Sequence, residues 1–414
     1  MNQNRLSLIW QRHWQKLITI CLATTGLFLV QCSCHKSYDK DFESIWNFAQ
    51  KNIYPQSLVQ KYFTEKEYSD LSAKIKQAES WTEFEQSFNT FLDHLGVSHT
   101  QLYTKENPDY YFLRSLFTTK DPSQPKIYHI GMQTKLIKGN YIVPTTLEKY
   151  PAYEAGLKRG DMLISVDGKP FHPYLSFNHY PKKKHVLKYM RLGEVHSVSI
   201  APIHESPHLS FIKASANSAL VINKGSKNIA YYHLWTGTND QILEDLKAFV
   251  KKHSDKSGMI LDLRDGFGGA WWPYLDPFFK DRNNYFIATM KSKKDGEPMI
   301  PPQQKNNDYY SKPLVVLINE GVRSGKESLA YQFKKTSRAT LVGNTTAGAF
   351  NMGLGGFSDQ NKDYILYLSV GEMFLDRKQV EGIGILPDVG VDYPLTESLP
   401  SDPQLEKALQ IITQ

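Results

Sequence analysis

Beyond residue 34 the chain has no cysteine: Cys21, Cys32 and Cys34 all sit inside or at the end of one apolar N-terminal segment. Everything after them folds without disulfides or thiolate metal ligands. Membrane-spanning runs are missing too, because the apolar stretch from Leu17 to Val30 falls short of the roughly 18 residues that cross a bilayer. No long basic run argues for nucleic acid. The formal charge is +7, and the first 34 residues hold three of the Lys and Arg with no Asp or Glu, which leaves only +4 for the rest. No Gly-Lys-Ser/Thr follows the glycine-rich stretch at 266–269, which excludes a P-loop cradle, and no internal repeat is visible.

What remains is globular. Of the 414 residues 41% are hydrophobic and 22% charged, and the length argues for two or three domains rather than one core. Arg5, Arg12 and Lys16 precede the apolar run, and Gln31-Cys32-Ser33-Cys34 follows it. This is the layout of a secretory signal over residues 1–34, with a retained anchor as the alternative. It implies export to the periplasm or cell envelope. A cysteine just past an apolar stretch also makes Cys32 or Cys34 a candidate for lipid attachment, through which the cleaved chain would associate with a membrane.

Periodicity divides the rest. Residues 37–118 read as a helical region, with Phe42, Ile45, Phe48 and Ala49 at helical spacing, then Phe84, Phe88, Phe91, Leu92 and Leu95. Ser80 or Thr82 can start the second helix and Gly96 can end it, leaving Ser98-His99 on the extended segment beyond. A polar, proline-bearing stretch at 119–126 reads as a linker. Residues 128–204 read as short strands and turns. From 205 to 398 buried strands alternate with helices: Met259–Leu263, Leu314–Ile318 and Thr340–Val342 are short apolar runs, and Asp240 can cap a helix bearing Ile242, Leu243, Leu246, Phe249 and Val250. A C-terminal helix is expected over 399–414. The order is that of an α/β protein.

Two strand ends carry residues suited to chemistry. Ser324 follows the Leu314–Ile318 strand and opens a helical stretch, where free amides and the helix dipole can stabilise an oxyanion. Ser-x-x-Glu (Ser324, Glu327) is equally an ordinary capping box. Leu261-Asp-Leu-Arg-Asp265 runs into Gly266-Phe-Gly268-Gly269, whose glycines allow amides to approach a reacting oxygen. His99 and Glu381 are, taken singly, unremarkable polar residues.

The order of these pieces resembles the tail-specific (C-terminal processing) protease family, peptidase family S41, related in clan to the tricorn core. Pro151-Ala-Tyr-Glu-Ala-Gly-Leu-Lys-Arg-Gly160, followed by Asp161 to Lys169, resembles the second half of a PDZ domain. The resemblance implies a helical N-terminal region, a small β-rich PDZ-like domain at 128–204, and an α/β catalytic core of crotonase-like type. The serine–lysine branch of the family places its lysine 25 residues past the nucleophile. Here that position is Ala349, and no lysine occurs between Lys335 and Lys362. The tricorn-like branch uses a Ser-His pair and a late glutamate, matched by Ser98-His99 and Glu381.

The resemblance therefore implies a serine peptidase acting on protein or peptide tails. Ser324 is its nucleophile, His99 its base, and Glu381 and Ser98 orient the imidazole. Gly325 with Gly268 or Gly269 forms the oxyanion hole. No metal or cofactor is implied. Arg323, beside the nucleophile, would favour acidic or C-terminal groups of a substrate. A catalytically inactive peptide- or ligand-binding protein on the same fold is the alternative, and an adaptor acting through its PDZ segment a third reading.

Overall fold

The computed structural model describes residues 38–117, 125–179, 181, 183–294, 296–357 and 363–414. The expected signal at residues 1–34, with its three cysteines, and most of the 119–126 linker lie outside them. Among the described residues no helix is long and apolar enough to cross a membrane.

Helices Asp39–Asn52, Ser57–Tyr62, Glu65–Ile75 and Trp81–Asp93 open the fold. Ser80 is the cap of the last of these, accepting from the Glu83 amide at 3.2 Å, and Gly96 turns the chain away at φ +66°. Phe84, Phe88, Phe91 and Leu92 form the buried stripe, with Phe42 and Trp46 packed edge-on or tilted against Phe88 and Phe91. Trp46 is buried where Phe48 was expected, and Phe48 is half-buried.

A parallel sheet forms the centre. Its strand order is Leu220–Lys224, Lys227–His233, Gly258–Asp262, Leu314–Ile318, Thr340–Gly343 and Val389–Gly390, parallel from the second strand on. Every residue of Gly258–Asp262 and Leu314–Ile318 is buried, as a strand covered on both faces requires. Each buried Leu, Ile or Val there stabilises the fold by about 1.5–3 kcal/mol. Helix Pro403–Thr413 lies across the middle strands, placing Ala408 and Ile412 on Ile260, Val315 and Leu317. Helix Asp240–Lys252 packs Ile242, Leu246, Phe249 and Val250 into the opposite cluster. Its cap is Asn239 rather than Asp240, with Oδ1 accepting from the Gln241 amide at 2.8 Å.

A second, antiparallel sheet is built on the long strand Tyr364–Leu375, flanked by Gln101–Thr104, Ala288–Ser292, Met352–Phe357 and Lys378–Gln379. The strand Gln101–Thr104 belongs to this sheet although the 37–118 region was expected to be helical. Its partner is more than 260 residues away in the chain, Gln101 facing Tyr367. Asn89 fastens it to the helix behind, giving and receiving hydrogen bonds with the Leu102 backbone at 2.8 and 2.7 Å.

Residues 135–200 form the third sheet, with strands Lys135–Ile137, Asn140–Ile142, Met162–Val166, His185–Arg191 and Glu194–Ile200. Gly156 at φ +73° ends the short helix Pro151–Glu154. Asp167 and Gly168, at φ +52° and +81°, make a hairpin turn of the mirror-image kind that suits twisted strands. A strand at Ile203–Glu205 pairs back on Ile127–His129, so regular structure continues across the expected boundary at 204.

Candidate active site

Parallel strands deliver their loops to one edge, and in α/β sheets that carboxyl edge is where ligands collect. There His233 stands opposite Asp262 and Asp262 opposite Leu317, and one residue on Ile318 stands opposite Gly343. Asn319, directly after the fourth-ranked strand, ties two of the emerging loops together. Its Oδ1 accepts from the Asp265 amide at 3.1 Å and the Gly321 amide at 3.0 Å.

Ser324 opens helix Gly325–Lys335 with φ +55°, a backbone region that L-residues occupy at a cost of about 1–3 kcal/mol and that clusters at functional sites. His99 (φ +52°) and Asp265 (φ +48°) share it. The helix start has the capping-box layout: the Glu327 carboxylate returns to the Ser324 amide at 3.2 Å. The Glu327 amide, however, donates to the Ser324 carbonyl at 2.8 Å rather than to its hydroxyl. Glu327 is itself buried and accepts from Thr346 Oγ1 (2.6 Å), Gly348 N (2.7 Å) and Ala349 N (3.0 Å). Burial pushes its carboxyl up to about 7 despite those bonds.

Gly268 faces Ser324 at close quarters. A Cβ placed on Gly268 would lie 2.6 Å from Ser324 Cβ and 3.2 Å from its Oγ. One on Gly269 (φ +95°) would instead meet Thr238, and one on Gly325 the Ala270 peptide. Of the three candidate glycines, Gly268 thus lies against the Ser324 side chain, Gly325 follows Ser324 in the chain and packs on Ala270, and Gly269 packs toward the neighbouring loop. Among the described residues, the Gly268 and Gly325 amides have no hydrogen-bond partner.

His99, Ser98 and Glu381 are joined. Glu381 Oε2 accepts from Ser98 Oγ at 2.8 Å and Oε1 from the Ser98 amide at 2.7 Å; Ser98 Oγ lies 2.9 Å from His99 Nδ1. A carboxylate only accepts, so the single Ser98 proton goes to Glu381. His99 Nδ1 must then be the protonated nitrogen, which leaves Nε2 free to take a proton. Burial, and next the Arg323 guanidinium, hold the His99 imidazole down to about 3, so it is neutral across ordinary pH. Its ring stands edge-on to Tyr367, centroids 5.3 Å apart.

One peptide unit connects the two halves. The Ala349 carbonyl accepts from the Ser324 amide at 2.9 Å, and the amide on the far side of the same peptide, Phe350 N, donates to Glu381 Oε2 at 2.7 Å. Asn351 N adds a second bond to that oxygen at 2.8 Å. No hydrogen bond runs from His99 to Ser324 in this state. Arg323 lies over the Phe267 ring at 5.3 Å, and Phe267 in turn packs on Phe112 at 4.6 Å.

Phe112 also lines a cavity of about 760 Å³ between the N-terminal helices and the third sheet, with Tyr103, Met132, Gln133, His172 and Phe177 on its walls. Two side chains from the segments flanking that sheet's first strands reach the site's loops. Gln133 Oε1 accepts from the Gly266 amide at 2.7 Å. Arg159, buried, pairs with Glu320 and approaches Asp265 at 3.8 Å.

Sequence reasoning missed Glu327 as more than a cap, and it missed Lys326, which is fully buried, its Nζ on the carbonyls of Leu234, Trp235 and Asp265. Their only signal was position beside Ser324. Burial of a lysine at the second residue of a helix has no one-dimensional signature.

Residues 228–391 match the model of peptidase family S41. Among curated proteins the chain is 25% identical over 285 residues to the carboxyl-terminal-processing peptidase 3, chloroplastic, of Arabidopsis thaliana, covering 64% of this chain and 53% of that one. It is 24% identical over 281 residues to the carboxy-terminal-processing protease of Bartonella bacilliformis, covering 65% and 61%. The chain thus spans between half and two thirds of the length of these relatives. Among solved structures, the photosystem II D1 C-terminal processing protease matches with a TM-score of 0.54 at 17% identity, over 92% of this chain and 98% of that one. The tricorn protease matches at 0.51 and 17%, over 92% and 37%. At these identities the structural likeness speaks for the mixed α/β fold. The family model is that of peptidase family S41, and both curated relatives are named as carboxyl-terminal-processing enzymes.

Proposed function

From the match to peptidase family S41 and from the geometry at the sheet edge, we propose that this protein is a serine peptidase of the Ser/His/Glu plan. Ser324 attacks a peptide carbonyl and its proton passes to His99 Nε2. The C–N bond then breaks, and the proton goes from His99 to the leaving amine. Water, deprotonated by the same nitrogen, hydrolyses the acyl-serine. Ser98 and Glu381 hold the imidazole in its Nδ1–H form and stabilise its charge when protonated. The amides of Gly325 and Gly268 receive the oxyanion.

The observation that supports this reading is the shared Ala349–Phe350 peptide, whose carbonyl holds the Ser324 amide and whose N–H holds Glu381, the carboxylate that also accepts from Ser98. Ala349 also stands where the serine–lysine plan needs an amine. The Ser324–His99 hydrogen bond is the one contact absent in this state. Such bonds are often long without substrate and tighten in the Michaelis complex.

The third sheet serves as a PDZ-like module that presents substrate tails along the 760 Å³ cavity. Gln133 and Arg159 give it a physical route to the 265–268 and 319–323 loops. Arg323 takes an acidic or terminal carboxylate of the substrate. The N-terminal segment directs export, with Cys32 or Cys34 available for lipid.

A fluorophosphonate probe tests the chemistry directly. Wild-type labelling that disappears in Ser324→Ala and weakens in His99→Ala is the expected result. A folded wild type that does not label sinks the proposal and favours the non-catalytic, ligand-binding alternative.

A further inference from the structure

Lys326 is placed where a lysine is costly. It is wholly buried, and among the described residues no carboxylate lies within ion-pairing distance of it. It also sits at the second residue of its helix, where the dipole disfavours a cation. A buried charge without a paired carboxylate destabilises a fold, and an apolar side chain of the same length would relieve that.

The ammonium's partners show what it holds. Its Nζ donates to the Asp265 carbonyl, and to those of Leu234 and Trp235 at 3.3 and 3.4 Å. The Trp235 carbonyl also accepts from the Phe267 amide at 2.8 Å, so Lys326 sits where the 234–237 and 265–268 loops cross. Around that crossing almost every polar backbone group of the loop is assigned. Asp265 N goes to Asn319, Gly266 N to Gln133, and the Gly268 carbonyl to Gly237 N at 2.9 Å and Thr236 Oγ1 at 3.0 Å. The Gly268 amide is left over, beside Ser324. The loop that presents it includes two consecutive left-handed residues, Asp265 and Gly266, a conformation that persists only when neighbours enforce it.

We propose that Lys326 is a positioning residue for the reaction at Ser324: its ammonium clips the Asp265–Gly268 loop to the start of the Ser324 helix and keeps the Gly268 amide aimed at the developing oxyanion. The inference rests on the peptidase reading above. It makes the clip sensitive to pH. Burial lowers the Lys326 ammonium to about 7, with Arg323 adding to the effect and Asp265 and Asp262 opposing it. His233, at the end of the strand behind, is paired with Glu148 at 2.9 Å and turned to the Arg264 carbonyl. As pH rises through about 7 the ammonium becomes an amine and the loop loses its cationic tie.

The test compares the full-length wild type and Lys326→Met for fluorophosphonate labelling rate and thermal midpoint between pH 5 and 9. The expected result is at least a 10-fold slower rate for the variant at pH 6, with a thermal midpoint equal to or above wild type. The wild-type rate should fall as pH rises through about 7, and the variant should lack that limb. Labelling of K326M within twofold of wild type, with the same pH profile, overturns the proposal. Should K326M fail to fold, wild-type amide hydrogen exchange decides. Protection of residues 265–268, corrected for intrinsic rate, should drop between pH 6 and 9, and unchanged protection refutes the clip. That arm also separates the two hypotheses: a wild type that never labels removes the peptidase reading but leaves the exchange result to judge Lys326.

Discussion

Gly268→Ala is the most direct probe of the proposed site. The added Cβ would stand 2.6 Å from Ser324 Cβ and 2.9 Å from the Arg323 carbonyl, neither of which is the end of a flexible side chain. Carbon atoms are comfortable at about 3.5–4.0 Å, so roughly 1 Å of displacement must be taken up by the loop or by Ser324. A misplacement of about 1 Å costs on the order of 100-fold in rate, or ~2.7 kcal/mol of barrier. Overpacking of this kind destabilises by about 1–3 kcal/mol, a loss the fold should survive. The assay is the second-order fluorophosphonate labelling rate beside a thermal melt. Gly390→Ala is the control, since a Cβ there meets nothing within 4 Å. It should match wild type in both readouts. A folded G268A that labels within threefold of wild type would refute the placement of Gly268 on the nucleophile.

Three further outcomes follow from the His99 chain. Ser98→Ala removes the hydroxyl between His99 Nδ1 and Glu381 Oε2 but leaves the Ser98 amide on Glu381 Oε1. Labelling should fall by about 10- to 100-fold with the melting temperature almost unchanged; a parallel loss of both would mean the chain is merely structural. Because burial and Arg323 lower His99 to about 3, its base form is complete above that value. The labelling rate should therefore show no loss from pH 7 to pH 5, where a histidine of ordinary pKa would lose roughly 25-fold. The same depressed value means the folded state binds fewer protons than the unfolded one between about 6.5 and 3. The contribution of His99 to stability is thus present above 6.5 and is lost as pH falls toward 3, which acid titration of wild type against His99→Gln measures.

How much of this was legible beforehand depends on how local each feature is. Buried strands such as Leu314–Ile318 declare themselves because five apolar residues in a row leave few alternatives. Ser98-His99 and Glu381 could be picked out as candidates because the resemblance to the tricorn-like branch rests on their order along the chain and because lysine is missing near Ala349. The Gln101–Thr104 strand could not, since four residues carry no period of their own and their partner is Tyr364–Tyr367. The Asn239 cap was displaced by one residue because Asn and Asp serve equally at that position. Lys326 was invisible for a different reason. A lysine in sequence reads as a solvated charge, and only the crossing of two distant loops over a helix start buries it.

The peptide between Ala349 and Phe350 has a consequence for tolerance to change. A peptide plane is a stiff plate, with soft rotation only at its two Cα ends. Because one edge of this plate carries the Ser324 amide and the other Glu381, tilting it moves both mounts together. The two halves of the site then share a single alignment error instead of accumulating two. It also makes the main chain, not the side chain, the part that cannot be replaced. Position 349 accepts a methyl group because its carbonyl and amide do the holding, whereas proline at 350 would delete the N–H by which this plate reaches Glu381.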